Sequence, residues 1–159
     1  MINCTFENGN KANLRHVTVG ALVLNSNNEI LLVKRAAGIV GANKFTIPGG
    51  FLDRKENTAE GALRELKEET GYSGKAEALF QVNDNPHRPK EDRQNVDFIY
   101  LIRLGSKEAN ETPETQSIGW FSKDNLPIED EFAFDHRNIV LRYFEYLKKP
   151  FQLPIIGPV

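Results

Sequence analysis

The chain has 159 residues, the length of one ordinary domain, and carries 20 Lys plus Arg against 22 Asp plus Glu. A formal charge of −2 gives no general electrostatic attraction to nucleic acid or to an acidic membrane. Cys4 is the only cysteine in the sequence, which excludes an intramolecular disulfide and a cysteine-rich metal site. With no signal peptide and no apolar run that spans a bilayer, we expect a single cytoplasmic domain over residues 1–159.

Runs of strand-forming residues occupy much of the chain. Residues 1–12 are polar and rich in asparagine, which is typical of an irregular arm. From His16 onward the chain becomes rich in β-branched residues, and an Asn-rich turn at residues 25–28 predicts a hairpin between the first two strands. Their apolar density indicates a sheet that is covered on both faces. The predicted strands cover residues 16–24, 29–35, 45–47, 76–82, 95–104 and 117–122.

Two helices are predicted, one in the middle of the chain and one near its end. Asn57 or Thr58 can cap the first helix, and Gly71 suits the left-handed residue that ends it. Asp135 is the predicted cap of the second helix. The Pro-rich residues 150–159 do not favour a regular element and would pack on their own domain or on a second copy in a homodimer. Strands interleaved with helices predict an α/β fold, a mixed β-sheet sandwiched between α-helices.

The end of the first predicted helix carries Glu65, Glu68 and Glu69. Residues three and four positions apart share a helix face, so these carboxylates converge and repel one another. The negative end of the helix dipole adds to this cost. One interpretation is a solvated surface in which Arg64 and Lys67 offset the glutamates. The other is a bound divalent cation, because Mg²⁺ and Mn²⁺ prefer oxygen ligands.

Two glycines lie upstream of the glutamates. Without a Cβ, Gly49 and Gly50 allow backbone groups to approach a metal or phosphate closely, although a simple tight turn also explains them. Gly50, then Glu56, and then the sequence RELKEETGY at residues 64–72 resemble the signature box of the Nudix hydrolases at every fixed position. Tyr72, where an aliphatic residue is commoner, is the mildest departure.

The resemblance implies a Nudix fold and hydrolysis of a nucleoside diphosphate linked to another moiety. Glu65 is the first candidate for the general base, although some members of the family use a carboxylate from a loop outside the box. Arg64 and Glu68 complete the expected catalytic set, and the resemblance implies that Arg64 orients the carboxylates, with Glu56 as its partner. Glu114 lies where some members place an additional metal-binding or basic glutamate, although a solvated loop carboxylate is the simpler explanation. The implied ligands of Mg²⁺ or Mn²⁺ are Gly49, Glu65, Glu68 and Glu69, with Glu114 as the additional one.

Substrate preference lies outside the box. The long polar connection at residues 85–95 contains Arg88 and Arg93, which either bind a substrate phosphate or are merely solvated. Residues 133–136, AFDH, resemble a stretch in Nudix proteins of the ADP-ribose type. The extended motif of NADH pyrophosphatases is absent, so ADP-ribose ranks ahead of NADH. The expected partner is therefore a small nucleotide.

Two alternatives remain open at this stage. One is an enzyme that removes damaged or surplus nucleoside triphosphates. The other is a module that senses a nucleotide metabolite without cleaving it, although such modules often lose a box carboxylate and none is lost here. His136 is interpreted as an ordinary first-turn residue. The candidates for an aromatic that stacks on a base are Phe6, Phe45, Phe80, Phe132 and Phe134.

Overall fold

The computed structural model describes residues 2–88 and 94–158. Within these ranges the strands are β1 (Ile2–Thr5), β2 (Lys11–Leu14), β3 (Val17–Leu24), β4 (Ile30–Arg35), β5 (Phe45–Thr46), β6 (Gly49–Phe51), β7 (Tyr72–Asn83), β8 (Val96–Lys107), β9 (Thr115–Phe121) and β10 (Ile155–Ile156). The α-helices are α1 (Thr58–Thr70) and α2 (His136–Lys148).

Eight strands form a mixed sheet, which confirms the predicted sheet type, and β10, β7, β8, β3, β4 and β5 are neighbours in that order. The strand β3 runs parallel to β8 and antiparallel to β4, but β3 and β4 pair only at Leu24 and Ile30. Beyond that point β3 pairs with β6, and β4 pairs with β5 and β9. The chain from Pro48 was predicted as loop, and β6 corrects this, because Gly49 and Gly50 pair with β3.

The sheet lies between the two helices. Val19 and Ala21 of β3 pack with Leu66 of α1, whereas Leu22 on the opposite face packs with Ile139 of α2. Successive residues of a strand point to opposite faces, so one strand supplies both cores. This confirms the predicted sandwich and explains why the strand sequences read as continuous apolar runs.

Local signals set both ends of α1. The Asn57 side chain accepts hydrogen bonds from the backbone N–H groups of Ala59 and Glu60, at 3.1 and 3.0 Å, and the Glu60 carboxylate accepts one from the Asn57 N–H at 2.8 Å. Gly71 ends the helix with a φ of 74°, and its N–H donates to the Lys67 carbonyl. The predicted helix is confirmed, with Asn57 rather than Thr58 as its cap.

Both ends of the chain are more regular than predicted. The expected arm at residues 1–12 contributes to a separate antiparallel hairpin of β1 and β2. The Pro-rich end forms β10, which pairs in parallel with β7, and Gln81 Nε2 donates to the Gly157 carbonyl at 2.7 Å. An edge strand tolerates flanking prolines because only one side needs its N–H groups. In the described ranges, no helix combines the length and apolar character that a membrane crossing requires.

Candidate active site

A cavity of about 550 Å³, a volume ordinary for a small-molecule site, opens between β6, the second half of α1 and the loops that precede β9 and α2. Arg64 and Arg88, predicted as catalytic and substrate-binding residues, line it, while Arg93 lies outside the described residues. The five residues predicted as metal ligands all line this cavity: Gly49, Glu65, Glu68, Glu69 and Glu114.

Arg64 organises the carboxylates of α1. Its Nη2 and Nε donate to Glu56 at 2.7 and 3.0 Å, and its Nη1 donates to Glu65 at 2.8 Å and to Glu68 at 3.1 Å. A further bond joins Nη2 to the Phe51 carbonyl at 2.9 Å, which ties β6 to the helix. The hydrogen bond from Arg64 lowers the pKa of Glu56 below its usual value. The expected pairing of Arg64 with Glu56 is therefore present.

Burial makes two of the glutamates poor sites for an uncompensated negative charge. Glu69 is 6% exposed, and its Oε2 accepts a hydrogen bond from the Gly49 N–H at 2.9 Å. Burial raises the pKa of Glu69 to about 8, and burial likewise raises the pKa of Glu65. A Cβ on Gly50 would overlap the Glu65 carboxylate, so glycine is required for this close approach. The backbone of β6 and the carboxylates of α1 are packed as one unit.

The donor set fits a hard divalent cation in chemistry and in charge. Its carboxylate and backbone carbonyl oxygens are the ligands that such cations prefer, and a cation would favour the ionised form of the buried glutamates. Within residues 2–88 and 94–158, no three acidic, histidine or cysteine side chains are preorganised around one point. Arg64 holds Glu65 and Glu68 through hydrogen bonds to its guanidinium.

Arg88 lies at the other end of the cavity, and its side chain is 2% exposed. Its Nη1 donates to Asp97 at 3.2 Å, and its Nη2 and Nε donate to Asp135 at 2.5 and 3.1 Å. Asn83 donates to the second oxygen of Asp135 at 2.7 Å. Asp135 occupies the predicted cap position of α2 but makes no capping hydrogen bond. The predicted side-chain cap is therefore wrong, because both carboxylate oxygens are already used by residues from β7 and the following loop.

Sequence reasoning missed Arg35 and underestimated His136. Arg35 ends β4, lines the cavity, and donates through Nε to the Val40 carbonyl at 2.8 Å. Among the described residues no carboxylate lies within ion-pair distance of Arg35. His136 begins α2 as expected, but its ring is buried and lines the cavity, and burial lowers its pKa to about 4. Arg35 belongs to no motif, and the AFDH stretch that contains His136 does not show where its ring points, so only the fold reveals their positions.

A family model described as the NUDIX domain matches residues 14–143, most of the chain. The chain belongs to the Nudix hydrolase family. Members of this family generally use divalent metal ions, which agrees with the oxygen-rich donor set of the cavity. The matched range begins in β2 and ends in α2, so it contains both helices' contributions to the cavity.

Curated relatives of this Nudix chain act on different nucleotides. It is 29% identical over 124 residues to an ADP-ribose pyrophosphatase from Methanocaldococcus jannaschii, covering 78% of this chain and 70% of that protein. It is 38% identical over 65 residues to the 8-oxo-dGTP diphosphatase of Escherichia coli, covering 41% of this chain and 50% of that protein. A solved Nudix hydrolase from Nitrosomonas europaea has a TM-score of 0.79 at 22% identity, with 99% and 93% of the two chains covered, which shows a shared fold.

Phe134 is the one stacking candidate of the five that lines the cavity of this Nudix domain. Phe80 and Phe132 are fully buried in the core, Phe45 packs edge-on against Phe121, and Phe6 lies on the N-terminal hairpin. The backbone of Phe134 has a φ of 56°, a left-handed conformation that is unusual for an aromatic residue. Such strain often accompanies a functional position.

Proposed function

We propose that this chain is a pyrophosphohydrolase that cleaves the diphosphate of a nucleoside diphosphate linked to another moiety, with ADP-ribose as its substrate. The observation that carries the proposal is the meeting of Glu65, Glu68, Glu69 and Glu114 in one cavity beside the glycines of β6. The alignment with an ADP-ribose pyrophosphatase over 78% of the chain supports the choice of substrate.

Mg²⁺ or Mn²⁺ is the proposed cofactor. Glu65, Glu68 and Glu69 would hold it, with the Gly49 carbonyl and Glu114 as further ligands. When bound, such a cation offsets the charge of the diphosphate and lowers the pKa of an attacking water. The acidic walls of the cavity would otherwise repel a diphosphate, so the proposed activity depends on the metal.

Glu65 is the proposed general base. It would take the proton of the water whose oxygen bonds to phosphorus, while the bond between that phosphorus and the bridging oxygen breaks. Arg64 orients Glu65 through the hydrogen bond at 2.8 Å and holds Glu68 in the same way. Glu114 on its exposed loop is the alternative base.

Substrate phosphates need a cation from the protein as well. Arg35 lines the cavity and has no ion-pair partner in the part of the chain that the structure describes, so we assign it this role. Arg88 is buried between Asp97 and Asp135, and its proposed role is to shape the pocket while facing the substrate. The suggested contribution of Arg93 remains a proposal from the sequence.

A second candidate is hydrolysis of damaged or surplus nucleoside triphosphates. The alignment with the Escherichia coli 8-oxo-dGTP diphosphatase at 38% identity favours it. Products separate the two activities, because ADP-ribose yields AMP and ribose 5-phosphate, whereas a triphosphate yields a monophosphate and pyrophosphate. A purely sensing module is disfavoured because every carboxylate of the box is present.

Glu69→Gln tests the proposal. The amide keeps the shape of the side chain and an oxygen for the Gly49 N–H, so we expect an intact fold by circular dichroism. Loss of a metal-binding carboxylate should lower kcat/KM for ADP-ribose by about 100-fold or more. The matched control is Glu77→Gln, which changes an exposed glutamate of β7 outside the cavity and should leave turnover unchanged. Full activity in the Glu69 variant would contradict the proposed role.

A further inference from the structure

The connection between β8 and β9 closes against the C-terminal end of α1. The last four carbonyls of a helix have no partner inside the helix, and those of Glu68 and Glu69 are among them. Two threonines near the start of β9 supply donors. The Thr112 N–H donates to the Glu68 carbonyl at 3.0 Å, and Thr115 Oγ1 donates to the Glu69 carbonyl at 2.9 Å. Two of the proposed metal-binding residues are therefore bonded through their backbone to this connection.

The same two threonines enclose a tight turn that carries Glu114. The Thr115 N–H donates to the Thr112 carbonyl at 3.0 Å, which closes a four-residue turn with Pro113 and Glu114 at its centre. Proline at the first central position has a fixed φ that suits such a turn. The Glu114 carbonyl accepts a hydrogen bond at 2.9 Å from the N–H of Ala36, which follows β4. The turn is thus held between α1 and the sheet, although Glu114 itself is exposed.

This fixed position places Glu114 among like charges. The turn lines the cavity beside Glu65 and Glu69. Burial, the largest cause, raises the pKa of both of these glutamates, and the negative charge of Glu114 acts in the same direction on each. A carboxylate on an untethered loop would relieve this repulsion by moving away into solvent. The hydrogen bonds of the turn instead keep Glu114 at the cavity, an arrangement that a bound divalent cation makes favourable.

Helix capping alone is the competing explanation of these bonds. The end of α1 is already defined by Gly71, whose φ is 74° and whose N–H donates to the Lys67 carbonyl. Capping needs donors but no carboxylate in the turn. The two explanations therefore differ in what the Thr115 hydroxyl should affect. Capping predicts an effect on stability alone, whereas positioning predicts an effect on metal binding that depends on the presence of Glu114.

We propose that Thr115 is a positioning residue, whose hydroxyl holds the turn against α1 so that the Glu114 carboxylate helps to bind the cation of the α1 glutamates. The inference rests on the proposed function for the presence of that cation. It goes further in assigning the position of the additional ligand to one hydrogen bond between a threonine hydroxyl and a helix carbonyl. Without this bond the turn is less firmly fixed to the helix, and Glu114 contributes less to metal binding.

The experiment is a double-mutant cycle on Mn²⁺ affinity, measured without substrate from the electron paramagnetic resonance signal of the free ion. Thr115→Val removes the hydroxyl, keeps the shape of the side chain, and should weaken Mn²⁺ binding by about 3- to 10-fold. Glu114→Gln should weaken binding by at least as much. The combined variant should bind Mn²⁺ as Glu114→Gln does, because the hydroxyl acts only through Glu114. Thr115→Ser retains the hydroxyl and should bind as the wild type does.

Thr5→Val is the matched control, because Thr5 is exposed on β1 and lies outside the cavity. It should bind Mn²⁺ as the wild type does. Circular dichroism checks the fold of every variant. Thr115→Ala removes the same hydroxyl and takes the place of Thr115→Val if the valine variant does not fold.

Three results would overturn the proposal: Thr115→Val binding Mn²⁺ as tightly as the control, Glu114→Gln binding it as the wild type does, or additive losses in the combined variant. A wild type that binds no Mn²⁺ overturns it as well. A protein that shows the expected cycle but hydrolyses no nucleotide refutes the proposed function and supports the positioning role. Hydrolysis of ADP-ribose together with additive losses supports the function and refutes the positioning role.

Discussion

Glu69 is buried in the last turn of α1, where the helix dipole disfavours an anion and a helix built for stability would place a lysine. Burial raises its pKa to about 8, and the Gly49 N–H is the hydrogen-bond donor that offsets part of this cost. Arg64 likewise donates hydrogen bonds to the carboxylates of Glu65 and Glu68. Single residues in this site are thus arranged against local stability, as expected where binding of a cation is selected.

Arg64→Lys tests whether the guanidinium geometry matters beyond its charge. A lysine ammonium is a compact group that cannot reach Glu56, Glu65 and Glu68 at once. We expect kcat/KM for ADP-ribose to fall by about 10- to 100-fold and the melting temperature to drop by several degrees. Arg103→Lys, at an exposed ion pair with Glu77, should change neither quantity. Wild-type kinetics in the Arg64 variant would refute the orienting role.

The pairing of β6 with β3 fixes the distance between the glycines and α1. At Gly49 an added Cβ would overlap the backbone carbonyl of Val19, whereas at Gly50 it would overlap the Glu65 carboxylate. The two clashes differ in their consequences. The backbone of Val19 cannot move without disturbing the sheet, whereas the side chain of Glu65 can move. Gly49 is therefore required for the pairing of β6 with β3, and Gly50 is required for the position of the Glu65 carboxylate.

Paired alanine substitutions separate these two functions. Gly50→Ala should fold with nearly wild-type stability and lose activity, because its methyl group displaces the Glu65 carboxylate. Gly49→Ala should lower the free energy of unfolding by about 1–3 kcal/mol, since it forces the β3–β6 pair apart. Urea unfolding and ADP-ribose turnover of both variants provide the comparison. Equal stability of the two variants would contradict the steric assignment.

Elements with local signals were predictable, and those with distant partners were not. The capping box at Asn57 and the left-handed Gly71 are encoded within α1, and the prediction was correct. Asp135 carries an equally good local cap signal, but Arg88, 47 residues earlier, takes its carboxylate. The C-terminal residues were interpreted as irregular because of their prolines, and the pairing with β7, more than 70 residues earlier, has no local signal in the sequence. The convergence of Glu65, Glu68 and Glu69 was predicted from their spacing in the sequence. The position of His136 in the cavity could be recognised only from the fold.

At the scale of the whole molecule, long-range contacts join the loops to the sheet. Arg15, just before β3, donates to the carbonyls of Gln94, Asp84 and Asn95 at 2.5, 2.7 and 2.9 Å. These bonds fasten both ends of the β7–β8 connection, which carries Arg88 into the cavity. Arg15 therefore ties this connection to the start of β3.

The buried imidazole of His136 predicts a pH dependence of stability. Burial lowers the pKa of His136 from its ordinary 6.5 to about 4, with Arg35, Arg88, Asp97 and Asp135 facing its ring. The unfolded chain therefore takes up a proton first as the pH falls. The stabilising contribution of neutral His136 is complete above pH 6.5 and is lost as the pH falls from 6.5 toward 4.

His136→Gln removes this contribution to the pH dependence of the unfolding free energy. Between pH 7 and pH 4.5 the wild type should lose roughly 2–3 kcal/mol more unfolding free energy than the variant. Urea denaturation of both proteins at the two pH values measures this difference. The comparison between the two proteins removes the contribution of the titratable groups that they share. Parallel losses in the two proteins would show that the imidazole is not held neutral by its surroundings.

The most direct test of the account is the fate of ADP-ribose. Purified protein is incubated with ADP-ribose and Mg²⁺, beside identical samples with EDTA or with Glu69→Gln, and the products are separated by anion-exchange chromatography. We expect equal amounts of AMP and ribose 5-phosphate from the wild type with metal and neither product from the other samples. Intact ADP-ribose in the wild-type sample with metal would contradict the proposed substrate, and a lack of turnover of nucleoside triphosphates, NADH and sugar nucleotides as well would contradict the proposed activity.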